Sequence, residues 1–419
     1  MNINMIFFKK SVAVLLFFLV SFSINFNFIP VSCLIIIFSV SLCYFFYFLT
    51  QKNNLLINKK LLYFQVFFLA QIILYLITYT FSDSDETSQL KIIFVFYLVY
   101  PIISLFIIKL FLNNQSKNTI INLFLIAIFI QAILSIIVTF SAEFRNLAFS
   151  LLNVDIDRLN QSANIRFIGF GIAYFNLGTV MVLGMLLSVY LLKKNKSGIF
   201  YTSGLVLSIL LFIILGIFSA RISILGIIII LLTHICTANI FKINKNIFSH
   251  TSLLVIFLPI LILILYFLLP SSTLVYIDNF FDKSIPWAFE MFNNFLNGDG
   301  LQSNSTDELS KMFFLPQNSF TMLFGDARMY DGDFYYMRTD VGYIRQIFSY
   351  GVLGLIISIM SYTYLCYNIR KHFDPFLASS LFLLILIFNI KGIFIYYSNF
   401  DFFIVFIFIY TIVKGQSKT

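Results

Sequence analysis

Charge is what this sequence has least of. Asp, Glu, Lys and Arg make up 11% of the 419 residues, against 60% that are hydrophobic. A water-soluble chain has about a quarter of its residues charged, so most of this surface has to meet lipid. Histidine and cysteine are nearly as scarce. The three histidines are His234, His250 and His372, and the four cysteines (Cys33, Cys43, Cys236, Cys366) all fall inside apolar runs. That pattern excludes a disulfide framework in the polar loops, and no CxxC spacing suggests zinc. There is no GxxxxGK[ST], no HExxH, and Asp331-Gly332-Asp333 is too sparse for a calcium loop. ATP-driven transport and metalloprotease chemistry are therefore unsupported, and neither a metal nor a cofactor is expected.

Long apolar runs fill the chain instead. A helix needs about 20 apolar residues to cross the hydrocarbon core. No charge occurs between Lys10 and Lys52, room for two helices divided near Asn25–Pro30. Further runs cover 61–82, 92–112, 118–141, 168–192, 198–219, 222–240, 250–270, 343–368, 375–391 and 393–413. The apolar start has the shape of a signal peptide, but its length and the lack of a small-x-small site favour a retained helix. The expected fold is an all-α polytopic integral membrane protein, a single membrane domain over 1–419 with about twelve transmembrane helices.

Orientation follows from the basic residues of alternate short segments: Lys9 and Lys10; Lys52, Lys59 and Lys60; Lys117; Lys193, Lys194 and Lys196; Lys242 and Lys245; Arg370 and Lys371; Lys414 and Lys418. These are expected to be cytoplasmic, with both termini inside. The net charge of +9 is then a topology signal that needs no nucleic acid. Two outer loops are long, 141–167 and 270–342. The larger, between the ninth and tenth helices, carries two expected short amphipathic helices. One starts with Pro286 in its first turn. The other opens with the capping pattern Ser305-Thr306-Asp307-Glu308 and stops at Pro316. Both suit a lid over a cavity as well as plain packing on the outer leaflet.

The arginines break the topology rule. Seven of the eight fall on the expected outer side: Arg145, Arg158, Arg166, Arg221, Arg328, Arg338 and Arg345. A rule about charge alone treats Lys and Arg alike, whereas the planar guanidinium binds phosphate in a bidentate way. An outer-side anionic ligand is the natural reason, a lipid-linked phosphate or pyrophosphate above all. Arg221, in the tight Ser219-Ala220-Arg221-Ile222-Ser223 hairpin, also fits a snorkelling side chain. Arg345, in the first turn of the tenth helix against its dipole, also fits a pair with Asp340. Asp340 itself fits a helix cap. Asp401, two turns into the last run, fits a pair with Lys391 across the final hairpin.

Leu323-Phe-Gly-Asp326 is followed by Thr339-Asp-Val-Gly-Tyr-Ile-Arg-Gln-Ile-Phe-Ser-Tyr-Gly-Val-Leu-Gly354. This stretch resembles the corresponding part of bacterial O-antigen polymerases (the Wzy family), as does the Ser/Arg hairpin at 219–223. Arg158, followed by Gly169 after ten residues, fits an Arg-x10-Gly spacing discussed for some members. The resemblance implies a metal-independent, GT-C-like glycosyltransferase acting at the periplasmic face of the inner membrane. It would transfer a growing glycan from undecaprenyl pyrophosphate to an incoming lipid-linked repeat unit. Arg166, Arg221, Arg338 and Arg345 would stabilise the leaving pyrophosphate, and Asp340 would act as general base. Arg158, Arg328, Asp326 and Tyr343 are the substrate-binding candidates. Implied partners are undecaprenyl-pyrophosphate-linked oligosaccharides, membrane lipids and a chain-length regulator.

Two other readings stand beside this one. O-antigen ligases resemble the chain in topology but use a histidine in the large outer loop, and here none of the three histidines is expected outside. A lipid-linked oligosaccharide flippase would also have about twelve helices, but its charges would line a cavity from within the helices rather than collect in loops.

Overall fold

A computed structural model describes residues 3–29, 31–50, 58–82, 86–152, 163–194, 198–237, 271–300, 302–332 and 334–416. The expected ninth span (250–270), Arg158 and Asp333 lie outside these residues. In chain order the helices begin with α1 (Ile3–Ser21), α2 (Cys33–Thr50), α3 (Lys59–Phe81), α4 (Ser88–Leu110) and α5 (Lys117–Phe140). Next come α6 (Ala142–Leu151), α7 (Tyr174–Lys194), α8 (Ile199–Ser219), α9 (Ile222–Thr237), α10 (Ser271–Ala288) and α11 (Glu290–Leu296). The last are α12 (Asn304–Lys311), α13 (Ser319–Phe324), α14 (Gly342–His372), α15 (Pro375–Phe388) and α16 (Asn399–Gln416). A two-stranded hairpin, β1 (Tyr330–Asp331) with β2 (Phe334–Tyr335), precedes α14.

Among the described residues seven helices (α1, α3, α4, α5, α7, α8 and α14) are long and apolar enough to cross a membrane. The burial pattern agrees with composition. In the middle of α3, between its polar ends Lys59 and Thr80, every exposed residue from Leu62 to Tyr79 is hydrophobic, while Gln71 and Thr78 are buried. A helix in water shows the reverse. The protein is an all-α polytopic membrane protein, and its helices assort into two compact units, Met1–Cys33 with Asn114–Gly300 and Leu34–Asn113 with Leu301–Thr419.

In the first unit α7 is the most buried long helix, with 78% of its apolar window covered. Small residues let its neighbours close on it, as is usual where lipid removes the hydrophobic drive between helices. A Cβ on Gly184 would stand 2.9 Å from Phe212 of α8, and one on Gly178 2.7 Å from Ala220 and Ser223. On the other side α5 stacks Phe124 on Phe17 of α1, ring centroids 3.8 Å apart.

The first unit also packs non-helical backbone against α5. Gln131, Ser135 and Thr139 recur every four residues on α5 and are fully buried. Ser135 donates to the Ile168 carbonyl (2.8 Å), Gln131 to that of Phe170 (3.3 Å), and the Thr139 hydroxyl accepts from Ile168 N–H (3.4 Å). Irregular backbone within a membrane protein is tolerated only where protein satisfies its polar groups. This polar stripe does so for Ile168 and for the Phe170 carbonyl, while Phe167 N–H and Gly169 N–H donate to the Phe218 and Ile172 carbonyls.

In the second unit α16 is the core, with Phe402 to Phe408 at 0% exposure. Gly351 of α14 has φ +69°, which breaks that helix after its first nine residues. The carbonyls freed there are taken by Asp326 N–H (to Phe348, 2.7 Å), Ala327 N–H (to Ser349, 3.2 Å) and the Gln89 amide (to Ser349, 3.0 Å). Gly325, φ +84°, and Gly351 meet at this break. A Cβ on Gly351 would collide with the Leu323 carbonyl oxygen. The two halves of the 323–354 motif thus pack on each other through glycine backbone.

Several expectations are corrected here. Pro286 does not open a helix; it lies near the end of the 18-residue α10, and α11 starts separately at Glu290. The capping box is formed two residues earlier than expected, by Ser303 and Thr306, whose side chains each bond the other's backbone N–H (3.2 and 2.8 Å). That helix ends at Lys311, before Pro316, because the apolar 313–315 run leaves it and Phe314 packs on Phe348. Asp340 caps nothing: the N-cap of α14 is Val341 and the Asp340 side chain is exposed. The buried Thr339 hydroxyl accepts from Val341 N–H in its place. Asp401 does not pair with Lys391, which donates to Ser305 (3.0 Å). α16 begins later than the hydropathy suggests, so Asp401 is in its first turn. Its carboxylate accepts from Ser398 N–H (2.9 Å), the Ser398 hydroxyl (2.9 Å) and Tyr362 (2.5 Å).

Candidate functional site

Arg221 sits in the two-residue break between α8 and α9, where the sequence places a tight hairpin. Ser223 N–H closes the turn on the Ala220 carbonyl at 2.9 Å. Lying just ahead of α9, its charge opposes that helix dipole, so a countercharge is needed. Glu290, at the start of α11, provides it: Nη2 to Oε2 is 2.5 Å, with side chains 14% and 22% exposed. The arginine's Nε and Nη1 are buried and make no hydrogen bond among the described residues.

Arg166 arrives from the other direction. Ser284 of α10 donates to the Ile165 carbonyl (2.7 Å), and Phe167 N–H donates to the Phe218 carbonyl at the end of α8 (3.2 Å). The residue between them is thereby held at the hairpin. Its guanidinium carbon lies 4.2 Å from the ring centroid of Trp287 and 4.6 Å from that of Tyr174. Arg221 lies 4.7 Å from the same tryptophan. Burial pushes the Arg166 guanidinium below its ordinary value; Tyr174 offsets part of this and the Arg221 charge adds to it. Among the described residues, two half-buried cations, one carboxylate and an aromatic wall leave an excess of one positive charge with free donors, an arrangement suited to an anion with several oxygens.

The remaining sequence candidates belong to the second unit. Arg345 is 8% exposed in the first turn of α14, its guanidinium carbon 3.5 Å from the Tyr335 ring centroid and its Nε without a partner among the described residues. Arg338, with φ +50°, lies 5.2 Å from the Phe334 ring, and Arg328 6.0 Å from that of Tyr336. Asp326 accepts from Thr321 (2.7 Å) and Tyr336 (3.0 Å). Burial raises the Tyr336 hydroxyl above its ordinary value, with Asp326 adding to it, so it stays a donor. Tyr343 donates to the Leu386 carbonyl (2.7 Å). These bonds make Asp326 and Tyr343 parts of the scaffold around 326–345. Asp340 stands apart, exposed and, among the described residues, bonded only through its N–H to Met312.

The sequence groups Arg166, Arg221, Arg338 and Arg345 by chemistry; the structure brings Arg166 and Arg221 together at Trp287, while Arg338 and Arg345 lie against Phe334 and Tyr335 in the second unit. Sequence reasoning missed Trp287, Tyr174 and Glu290. Trp287 is the chain's only tryptophan, and Glu290 follows it at helical spacing; these were the available signals. In the second unit it missed Glu86, whose carboxylate accepts from Met329 N–H (2.7 Å) and Tyr330 N–H (3.2 Å) and so anchors the hairpin. Among the described residues no group of three His, Cys, Asp or Glu could hold a metal ion. Comparison with protein-family models, curated proteins and solved structures returns no match for this chain.

Proposed function

We propose that the protein is a polymerase of a bacterial surface polysaccharide of the O-antigen type. In this reading about twelve helices of a GT-C-like chain cross the inner membrane, with both termini in the cytoplasm and the long loops in the periplasm. The growing glycan leaves undecaprenyl pyrophosphate for a hydroxyl of the next lipid-linked repeat unit. The observation that supports this is the Arg166–Arg221 pair against Trp287, with free guanidinium donors and a single carboxylate to balance them. As the glycosidic bond breaks, negative charge grows on the pyrophosphate. Donors fixed in a half-dry site stabilise that charge more than they stabilise the ground state. Arg338 and Arg345 remain in the proposal as further leaving-group residues. Asp340, exposed and free of any capping duty, remains as the general base.

The test is genetic and then chemical. Cells lacking the protein are expected to carry a single repeat unit on the lipopolysaccharide core. Core alone, with polymer accumulating on the lipid carrier, would point to a ligase, and loss of all outer-face intermediates to a flippase. With purified lipid-linked repeat units, Arg221→Ala and Arg166→Ala are expected to fold and to leave the units unjoined. Full elongation by both variants would overturn the assignment.

A further inference from the structure

A groove of about 620 Å³ runs between α1 and α5 within the first unit. Its two ends differ. Lys10, Ser11, Thr119 and Asn122, with Phe7 beside them, line one end, and Phe18 and Ile130 the other, with apolar side chains between. Ligand pockets typically enclose about 300–1,000 Å³, so the volume suits a long flexible molecule.

The length is more telling. Thr119 and Ile130 are eleven residues apart on α5, about 16 Å at 1.5 Å per residue. Half of a 30 Å hydrocarbon core is about 15 Å. The groove therefore spans one leaflet, from an interface marked by Lys10 to the bilayer midplane. Its polar end is cationic: Lys10 has no ion-pair partner among the described residues, and the N-terminus of the 24-residue α5 adds the positive end of its dipole. The Asn122 carbonyl accepts from Tyr201 (3.3 Å), which leaves its NH2 as a donor.

We propose that this groove is a binding site for one anionic phospholipid of the bilayer, its phosphate held by Lys10, Thr119 and Asn122 and one acyl chain laid along α5 to Ile130. The lipid seals α1 against α5 where the protein alone leaves a gap. The site is separate from the arginine pair and does not rest on the polymerase reading.

Native mass spectrometry of the full chain in detergent, with equimolar phosphatidylglycerol and phosphatidylcholine, tests it. One phosphatidylglycerol is expected to bind in preference. Lys10→Gln should cut that preference about fivefold, the factor one lysine is worth at an anionic surface, while Lys9→Gln, outside the groove, leaves it unchanged. Leu15→Trp should block the groove and release the bound lipid; Leu15 is 56% exposed, so the fold tolerates it, and a melting curve checks this. Equal retention of both lipids, or an unchanged preference in Lys10→Gln, overturns the proposal. So does displacement of phosphatidylglycerol by equimolar undecaprenyl phosphate, which would assign the groove to a polyprenyl carrier.

Discussion

Replacing Glu290 by Gln keeps the shape of the Arg221 partner and removes its charge. Two guanidinium groups then share Trp287 with no ion-paired carboxylate among the described residues. Unit charges about 4 Å apart interact by about 4 kcal/mol at an effective dielectric of 20, but this pair is only partly dehydrated, with side chains 14% and 22% exposed. Exposed pairs are worth at most about 1 kcal/mol, and breaking a buried one costs about 3–5 kcal/mol. Glu290→Gln is therefore expected to destabilise the site by about 2 kcal/mol, between those limits. Arg221→Ala also destabilises, but the double variant should be milder than the sum of the two by about 2 kcal/mol. Removing Arg221 abolishes the repulsion left behind when Glu290 loses its charge. The ring centroid of the sole tryptophan lies within 4.7 Å of both guanidinium carbons, so its fluorescence reports on this site, while circular dichroism follows the helices during titration with denaturant. Inorganic pyrophosphate supplies the missing negative charge. At a hundredfold excess over its dissociation constant it should stabilise the folded protein by about 2.7 kcal/mol, and it should bind Glu290→Gln more tightly than the parent because no carboxylate repels it. Single-variant effects that add within about 0.5 kcal/mol, or a tryptophan signal indifferent to pyrophosphate, would refute the reasoning.

Trp287→Ala removes the wall behind both guanidiniums, a loss of about 1–2 kcal/mol per contact in a half-dry site; elongation should fall sharply, and Trp287→Phe should recover part of it. Ser135→Ala leaves the Ile168 carbonyl unsatisfied at a cost of about 1–3 kcal/mol. Pyrophosphate binding is expected to weaken while the far helices melt as before, and a uniform loss of stability would show that Ser135 does not position Arg166. Gly351→Ala forces a side chain into the left-handed region and into the Leu323 carbonyl; destabilisation beyond about 3 kcal/mol is expected, read as loss of folded protein in the membrane. Arg345→Lys loses the flat stack on Tyr335, so elongation should suffer nearly as much as with Arg345→Ala, whereas full activity would show that charge alone suffices there.

The helices were legible because lipid imposes one simple demand, an apolar run long enough to cross: every expected run within the described residues meets a helix, and seven of those helices are long and apolar enough to cross. The arginine pair was legible in part. Arginine in loops where lysine would serve topology equally well is a chemical choice, and Arg166 and Arg221 do converge. What the sequence hid was distance: nothing local says that Trp287 and Glu290, more than sixty residues from Arg221, close on it.

Other signals were present and misread. Ser398-Asn-Phe-Asp401 has the form of a helix start, yet hydropathy places Asp401 well inside a span, where a charge calls for a partner such as Lys391. The true partner is the helix's own first turn, with Tyr362 supplying the third donor. Gln131, Ser135 and Thr139 likewise form a polar stripe at helical spacing inside an apolar run. Such a stripe has no use against lipid and little against an ordinary helix, whose backbone is already paired. It marks where unpaired backbone must lie, and on α5 that backbone is the segment carrying Arg166. Buried polar residues in a membrane helix thus point outward to the irregular segment they satisfy. Here the most polar face of an otherwise apolar span leads directly to the candidate site.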